Sequence, residues 1–472
     1  MLCQPNFAWC GKRTWNLLPY GLGLLNACLR QRGYDSWIVD PNASNLSEDE
    51  MRAELRRTRP DVVGITTFST EYLDEPRLLS RLIKEELPDA VVILGGALPT
   101  VWLEAIIDDP NVDYHVTAEG EQRLPDLLDA LNCGDVAALA GVDGLASARP
   151  VRFERPSTGF VDDLDAVPFP DYGGLDLTVY TQHRHLQAHT VMPRQWPYET
   201  TITSRGCPYR CCFCAGRTVS GARVRMRSAA NVLAEIEAMA ARGTREVIFL
   251  DDHFLADRQR ALDIMAGMRE HHPTMTWKCV NVTVWHLDEE LLAAMMASGC
   301  DQITVSIESG NQQVLRNIVH KPIKLPTVAP LLTIARDLGF EIAANFVIGF
   351  PGETWEQIRE TVRFAEALPA DLVLFHIATP MPNTELWDIC QREGCWAEEA
   401  SSAGYTAGRI ATDEFSPLDL QILRAYEWDR INFATPERRA RVARMCGITL
   451  GDLEQWRRRS RRQLGRVVAG QA

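Results

Sequence analysis

Three cysteines spaced as C-x3-C-x2-C are the feature that most constrains this chain. Cys207, Cys211 and Cys214 follow a short β-branched run at 200–203, and a Gly and a Pro turn the chain into a loop there. A loop at a strand end can wrap its thiolates around one inorganic cluster, and thiolates are the usual ligands of iron–sulfur clusters. Because such clusters normally take four ligands, three cysteines predict a cluster with one open iron.

Two simpler explanations of these cysteines fit the sequence less well. A structural zinc site takes two Cys pairs, or Cys with His at fixed spacing, and no second C-x2-C or H-x3-H follows nearby. A disulfide framework is disfavoured because the other cysteines are scattered and the N-terminus shows no charged n-region or cleavage site. An open iron–sulfur site is therefore the favoured interpretation.

The acidic balance of the chain argues against a nucleic-acid partner. Its 472 residues carry a net charge of −14, and the sequence pI is about 5.3. The arginines at 457–462 are a local exception that suits a solvated helix face. The longest apolar stretches, near 17–29 and 90–103, fall short of the ~20 residues that a membrane span needs. Since clustered thiols imply a reducing compartment, we expect a cytoplasmic protein with no membrane partner.

Alternating strand-like and helical runs predict a first domain over residues 1–145. Strands are predicted at 36–40, 61–67, 90–94 and 114–117. Helices are predicted at 21–32, 48–58, 76–86 and 124–131. This alternation predicts a Rossmann-like α/β sheet with helices on both faces, which binds ligands at the carboxyl ends of its strands. Small or polar residues gather at those ends: Thr66, Ser69, Thr70, Gly95, Gly96, Glu119 and Gly120.

The rest of the chain divides into a linker at 146–199, a core at 200–395 and a mostly helical region at 396–472. The linker has no sustained period, and its His183, His185 and His189 lack metal-ligand spacing, which favours surface or capping roles. Core strands are predicted at 200–203, 246–250, 277–282, 302–307, 342–348 and 372–377, with helices between them. Polar residues again follow the strands: Asp251, Asp252, His253, Asn281, Thr283, Ser306, Glu308 and Asn345.

The cysteine loop resembles the cluster loop of the radical S-adenosylmethionine (SAM) family, in which an aromatic, here Phe213, precedes the last cysteine. The resemblance implies a 4Fe–4S cluster whose open iron is chelated by the amino and carboxylate groups of SAM. Cys211 keeps the family spacing to both other ligands, so Cys212 is expected not to be a ligand. The six β/α units of the core resemble the partial (β/α)6 barrel of the same family, whose chemistry lies at the strand carboxyl ends.

The same resemblance implies which residues bind SAM. Asp251 or Asp252 is expected at the SAM amino group, because a cation prefers a carboxylate partner. The segment 306–310, which includes Ser306, resembles the fourth-strand motif and makes Glu308 a candidate for the ribose hydroxyls. Helix capping is an equally weighted alternative for Glu308 and the favoured role of Glu353. Two further cofactor contacts are expected on the fifth strand, at Asn345 and at Ile348, where the segment 348–354 resembles the one that packs adenine.

The first domain resembles the cobalamin-binding domain that precedes many radical SAM cores. The resemblance rests on the segments 19–21, 60–64, 95–96 and 119–121, which occur in the family's order. The resemblance implies that this domain binds cobalamin, which in a methyltransferase would be present as methylcobalamin. The loop at 6–13 has no D-x-H-x-x-G, so cobalt is expected to lack a histidine lower ligand. The first strand, within residues 1–5, is expected to be very short, which would fit an upstream start.

Together these resemblances imply a cobalamin-dependent radical SAM methyltransferase. Such an enzyme cleaves SAM to a 5′-deoxyadenosyl radical, which activates an unactivated substrate carbon for methylation from methylcobalamin. A small-molecule or peptide biosynthetic intermediate is the expected substrate, and flavodoxin or ferredoxin the expected electron donor. Two alternatives stay open: a cobalamin-dependent radical cyclase or rearrangement enzyme without methyl transfer, and a non-catalytic iron–sulfur or corrinoid binding protein.

Overall fold

The structure is a computed structural model that describes residues 1–12, 14, 17–134, 136–139, 141–149, 152–154, 157, 159–180, 193–397 and 408–468. The chain divides into two compact units, Met1–His185 with Gly216–Arg227, and Leu186–Ala215 with Ser228–Ala472. His183, His185 and His189 lie outside the described residues. Within the described ranges, no helix is long and apolar enough to cross a membrane.

A seven-stranded sheet organises the first unit. Its strands are β1 Leu2–Cys3, β2 Ile38–Val39, β3 Val62–Thr67, β4 Val91–Gly96, β5 Tyr114–Val116, β6 Leu145–Ser147 and β7 Phe153–Glu154. They lie in the order β2-β1-β3-β4-β5-β6-β7; the first five pair in parallel and the last two antiparallel. The strand order reverses between β1 and β3, and the carboxyl ends at such a switch point are where open α/β sheets bind ligands.

The helices described in this unit cover both faces of the sheet. They are α1 Tyr20–Gln31, α2 Pro41–Ser44, α3 Glu48–Thr58, α4 Asp74–Glu86, α5 Ala97–Val101, α6 Gly120–Cys133, α7 Val136–Leu139 and α8 Gly216–Ser220. Successive residues of a strand point to opposite faces. Val92 accordingly packs in a cluster with α3 and α4, whereas its neighbour Ile93 packs with α1 and α6.

The predicted strands and helices of the first unit are all present, with ends shifted by a few residues. The strands β6 and β7 were not predicted, because their sequences Leu-Ala-Ser and Phe-Glu contain no β-branched residue, whereas the equally short β2 and β5 do. The segment Gly216–Arg227, which falls in the predicted core, groups with the first unit by its contacts. The assignment of this segment to the first unit therefore depends on long-range packing, which the periodicity of the sequence does not reveal.

The second unit is built on six parallel strands that follow chain order. They are β8 Tyr198–Thr201, β11 Glu246–Phe249, β12 Thr276–Cys279, β13 Gln302–Glu308, β14 Glu341–Ile348 and β15 Leu372–Ile377, with the short β9 Ser204–Arg205 after β8, and β10 Arg225–Met226 in the first unit. Two sheets of three, β12-β11-β8 and β13-β14-β15, are joined by a parallel bridge between Val282 and Val305. This consecutive parallel order is that of a partial barrel.

Helices follow these strands as predicted. They are α9 Ala229–Ala241, α10 Arg258–His271, α11 Glu289–Ala297, α12 Gln312–Val314, α13 Leu325–Asp337, α14 Trp355–Ala367, α15 Glu385–Glu393, α16 Pro417–Asn432, α17 Pro436–Met445 and α18 Leu450–Val468. The short helix α12 is continued by the π-helical turn Leu315–Val319. Such π-turns are found frequently at functional sites.

The C-terminal helices cover the open edge of the barrel. The Asn432 side chain accepts from the Val373 amide and donates to the Val373 carbonyl, both at 2.7 Å. Arg424 on α16 donates from Nε to the Phe375 carbonyl at 2.8 Å. These bonds satisfy backbone groups of β15 that would otherwise be unpaired at a sheet edge.

Candidate active site

The loop that carries the predicted cluster ligands leaves β8 and β9 at the carboxyl end of the first barrel strand. Cys207 and Cys211 are partly buried and Cys214 is exposed. The pKa of Cys211 is raised to about 12, chiefly by burial, with smaller upward contributions from Glu308, Cys214 and Cys207. The three thiols are therefore near enough to interact electrostatically, and a bound cation would stabilise a thiolate at each position.

The chemistry of these donors fits an iron–sulfur cluster. No group of three or more His, Cys, Asp or Glu side chains among the described residues is placed to hold a single metal ion. The loop instead offers only thiols, which is the donor set of iron–sulfur clusters. In the bound state Cys207, Cys211 and Cys214 would be the protein ligands.

Cys212 points away from this donor set. Its side chain is 1% exposed and belongs to the hydrophobic core of the barrel. Its amide donates to the Val319 carbonyl at 3.2 Å, and its carbonyl accepts from the Leu386 amide at 2.8 Å. These contacts anchor the loop to two neighbouring elements, and burial raises the pKa of the Cys212 thiol. A side chain that packs in the hydrophobic core is compatible with the prediction that Cys212 is not a cluster ligand.

The two candidate aspartates after β11 have different roles. Asp251 is buried, and its carboxylate accepts from the Thr203 amide, the Thr203 hydroxyl and the Ser204 hydroxyl at 2.6–2.8 Å. Asp252 accepts from the Gly206 amide at 2.9 Å with one oxygen only. Asp251 therefore fixes the chain that enters the cysteine loop, and among the described residues no side-chain or backbone donor is seen at the second oxygen of Asp252.

His253 follows directly and touches the loop. Its Nε2 lies 3.1 Å from Cys207 Sγ, and its Nδ1 lies 3.3 Å from Thr283 Oγ1. The side chain is buried, and burial lowers the pKa of His253, which favours the neutral ring. Its position among the polar residues after the second strand was visible in the sequence, but its contact with a cysteine was not.

Glu308 is held by a lysine that sequence reasoning missed. Lys321 Nζ donates to Glu308 Oε1 and to the Ser306 carbonyl, both at 2.7 Å, and both charged side chains are less than 10% exposed. Glu308 lies at a β-bulge with φ of 73°, a conformation that is rare for non-glycine residues. The following helix α12 is capped by Asn311, so the capping alternative for Glu308 is wrong. Its carboxylate instead belongs to a buried ion pair at the barrel mouth.

Polar and aromatic candidates from the other strands surround this pair. Asn345 Nδ2 lies 3.5 Å from Ser306 Oγ, and Asn345 Oδ1 is buried without a partner among the described residues. A buried acceptor of this kind is normally satisfied, so a ligand donor could complete it. The Ile348 side chain is fully buried in the core and its carbonyl accepts from the Ala378 amide at 2.9 Å, so its contact with adenine stays a prediction. The Phe213 ring lies 5.8 Å from that of Phe350.

Glu353 is not the helix cap that was predicted. Thr354 caps α14 with a complete capping box. Glu353 Oε2 instead accepts from the amides of Gly349 and Phe350 at 2.8 and 3.1 Å, while Oε1 is buried without a partner in the described chain. Burial raises the pKa of Glu353 to about 7. This carboxyl group therefore stabilises the turn that follows β14 by accepting from two backbone amides of the same loop.

In the first unit, the ends of β3 and β4 adjoin one another. Thr66 pairs with Gly95 in the sheet register. A Cβ at Gly95 would lie 3.7 Å from the Val116 carbonyl, an ordinary contact. At Gly96, where φ is 92°, a Cβ would lie 2.4 Å from the Thr67 carbonyl. Glycine at 96 is therefore required by the sheet itself, whereas the surroundings of Gly95 would tolerate a Cβ, and its contact with cobalamin stays a prediction.

The loop after β3 presents the other candidates at this edge. Ser69 Oγ accepts from the Glu71 amide at 3.3 Å, which fixes a local turn, and Thr70 is partly exposed. Phe68 beside them is 61% exposed. A single exposed apolar side chain is common on a protein surface and by itself assigns no ligand.

Glu119 has a partner inside the unit. It forms a bidentate ion pair with Arg225, with both N–O distances at 2.8 Å, and accepts from the Val161 amide at 2.6 Å. Both side chains are less than 10% exposed. Gly120 begins α6 and packs against Leu25. Glu119 was predicted to contact cobalamin, and its carboxylate is occupied by the ion pair that anchors the segment containing β10.

The described side chains of the loop after β1 are held by contacts within the protein. Residues 6–12 contain no histidine. Trp9 Nε1 donates to the Leu46 carbonyl at 2.8 Å, and Lys12 Nζ pairs with the buried Glu75 at 2.9 Å. Both side chains are thus engaged within the protein. The cobalamin contacts at the ends of β3 and β4, and the lack of a histidine below cobalt, stay predictions.

Two sequence families match the chain in the places this geometry suggests. The B12 binding domain family matches residues 10–128, and the Radical SAM superfamily matches residues 201–365. The solved structure of the radical SAM methyltransferase TsrM from Kitasatospora setae, with cobalamin and a [4Fe-4S] cluster bound, has a TM-score of 0.71 at 21% identity. The match covers 89% of this chain and 83% of that one. The predicted fold class is therefore confirmed.

Curated relatives resemble the chain over most of its length. The cytidylyl-2-hydroxyethylphosphonate methyltransferase of Streptomyces wedmorensis is 30% identical over 423 residues, covering 80% of this chain and 78% of that enzyme. The anaerobic magnesium-protoporphyrin IX monomethyl ester cyclase of Rubrivivax gelatinosus is 27% identical over 402 residues, covering 82% and 69%. The chain therefore belongs to the cobalamin-dependent radical SAM methyltransferase family, whose cofactors are a 4Fe–4S cluster, SAM and cobalamin.

Proposed function

We propose that this enzyme transfers a methyl group from methylcobalamin to an unactivated carbon of a small-molecule or peptide biosynthetic intermediate. The observation that carries the proposal is the 30% identity to a methyltransferase across both the cobalamin-binding and the radical SAM regions. When bound, the cofactors supply a 5′-deoxyadenosyl radical and a transferable methyl group. The protein contributes binding, orientation and exclusion of water.

Different residues of the barrel would bind the cluster, the amino group of SAM and the ribose of SAM. Cys207, Cys211 and Cys214 would hold the cluster, and Asp252 would accept from the amino group of SAM. Glu308 would accept from the ribose hydroxyls, with Lys321 holding its carboxylate in place at 2.7 Å. A buried carboxylate that is already paired costs little further desolvation when a ligand binds.

The first unit would hold cobalamin at the carboxyl ends of β3 and β4. The match of residues 10–128 to the B12 binding domain family supports cobalamin in this unit, and open α/β sheets bind ligands at the carboxyl ends of their strands. Lys12 and Trp9 are engaged elsewhere, so we expect no protein nitrogen below cobalt.

A second candidate function is a radical cyclase that retains cobalamin without net methyl transfer. It is favoured by one observation, the 27% identity to an anaerobic magnesium-protoporphyrin IX monomethyl ester cyclase over 82% of the chain. A non-catalytic corrinoid or iron–sulfur protein is disfavoured, because Lys321 and Glu308 form a buried charged pair at the barrel mouth that a passive carrier would not need.

The proposed partners follow from the cofactors and the charge. The cluster needs a one-electron donor, for which we propose a flavodoxin or ferredoxin. A net charge of −14 suits neither nucleic acid nor an anionic membrane surface. We propose that the enzyme works in the reducing cytoplasm.

The reconstituted enzyme tests these functions through the products of SAM. With a reductant, SAM, cobalamin and an extract of small metabolites, methyl transfer should yield 5′-deoxyadenosine and S-adenosylhomocysteine in step. A cyclase should yield 5′-deoxyadenosine alone, and a carrier protein neither. Omitting cobalamin is the control, and it should abolish S-adenosylhomocysteine formation.

A further inference from the structure

The imidazole of His253 bridges a cluster ligand and a buried hydroxyl. Nε2 lies 3.1 Å from Cys207 Sγ, within range of a hydrogen bond to sulfur, and Nδ1 lies 3.3 Å from Thr283 Oγ1. His253 is 6% exposed and Thr283 is 8% exposed. The bridge is therefore enclosed by protein.

The chemistry of the partners fixes which atom donates. A cysteine bound to iron is a thiolate, which can only accept, so Nε2 must carry the proton. A neutral imidazole has one proton, so Nδ1 is then an acceptor and the Thr283 hydroxyl donates to it. Groups beyond a metal ligand commonly set tautomers in this way.

Aromatic side chains wall the bridge on one side. The Tyr209 ring lies 5.3 Å from the His253 ring, and Trp285 Nε1 donates to the Tyr209 hydroxyl at 2.8 Å. His286 belongs to the same wall, 6.1 Å from His253 between ring centroids, and its Nε2 faces the Tyr209 hydroxyl. His286 is thus a second imidazole in the same surroundings without the contact to a cysteine.

We propose that His253 is a positioning residue that donates a hydrogen bond to the Cys207 thiolate and raises the reduction potential of the cluster, with Thr283 setting its tautomer. Reduction adds negative charge to the cluster and its thiolates. An N–H donor stabilises that charge, and hydrogen bonds to the sulfurs are among the factors that set cluster potentials. The proposal rests on the cluster at the three cysteines and is independent of methyl transfer.

The test is a reduction-potential titration of the full-length reconstituted protein, followed by electron paramagnetic resonance, without SAM, cobalamin or substrate. His253→Phe should retain iron and shift the midpoint potential to more negative values. Thr283→Val should shift it in the same direction by less, whereas Thr283→Ser should keep the wild-type value. His286→Phe is the matched control and should leave the potential unchanged.

An unshifted potential in His253→Phe with full iron content would overturn the proposal, as would an equal shift in His286→Phe. Should His253→Phe fail to retain the cluster, Thr283→Val decides, since it keeps the imidazole: a negative shift supports the proposal and an unchanged potential refutes it. A chain that shows these shifts but makes no methylated product would contradict only the proposed function.

Discussion

The buried carboxyl of Glu353 makes a quantitative prediction about pH and stability. It is 1% exposed and accepts two backbone amides, yet its second oxygen is buried without a partner among the described residues. Replacement by Gln keeps an oxygen for the two amides and removes the titration. The difference between wild type and Glu353→Gln therefore isolates the charge.

The magnitude follows from the pKa. Burial raises the pKa of Glu353 from 4.5 to about 7 in the folded protein. At ~1.4 kcal/mol per unit, this difference corresponds to roughly 3 kcal/mol. Because the folded state binds the proton more tightly, the contribution is fully present below about pH 4.5 and is lost as pH rises through about 7.

Urea unfolding of the cofactor-free protein at about pH 5 and about pH 8 is the assay. Wild type should lose roughly 2–3 kcal/mol more unfolding free energy over this interval than Glu353→Gln. The control is Glu356→Gln on the adjoining helix α14; Arg363 lowers the pKa of Glu356, so any change there should have the opposite sign. Equal pH dependence in wild type and Glu353→Gln would refute the reasoning.

Four further predictions test the site. Replacing any of the three C-x3-C-x2-C cysteines by Ala should abolish iron–sulfur absorbance, whereas Cys212→Ala should retain it; the reverse pattern would overturn the ligand assignment. Glu308→Ala should weaken SAM binding ten- to a hundredfold in a calorimetric titration, which corresponds to ~1.5–3 kcal/mol, and should not cause loss of iron. An unchanged affinity would show that the role of Glu308 is structural. Arg225→Met should lower the free energy of unfolding in urea by ~3–5 kcal/mol, because it leaves Glu119 as an unpaired buried charge, and adding Glu119→Gln should recover part of that loss. An unchanged free energy of unfolding would show that the ion pair does not stabilise the fold. Supplied cobalamin should bind in about one equivalent, and its Co(II) spectrum should lack axial nitrogen splitting.

The elements that periodicity predicted are those with long apolar runs. The strands β13, β14 and β15 span six to eight residues and are almost continuously buried, so their sequences carry the signal of parallel strands. The strands β6 and β7 have three and two residues and no β-branched side chain, unlike the equally short β2 and β5. Strong local patterns were therefore sufficient for the barrel, and β6 and β7 carried no such pattern.

Partners distant in the chain could not be read from the sequence. Lys321 reaches Glu308 across the π-helical turn, and Arg225 meets Glu119 from 106 positions away. Neither spacing belongs to a motif, because such pairs are set by tertiary packing. The cysteine ligands, in contrast, lie within eight positions of one loop, where the spacing itself reflects the chemistry.

The central claim, that methylcobalamin carries the transferred methyl group, is tested most directly by isotope tracing. The cobalamin-loaded enzyme, given SAM with a trideuterated methyl group and an extract containing the substrate, should form a product that gains one trideuterated methyl group. That product should require cobalamin and appear with 5′-deoxyadenosine. Consumption of a substrate with 5′-deoxyadenosine formed but no deuterium in the product would contradict the claim and favour the cyclase.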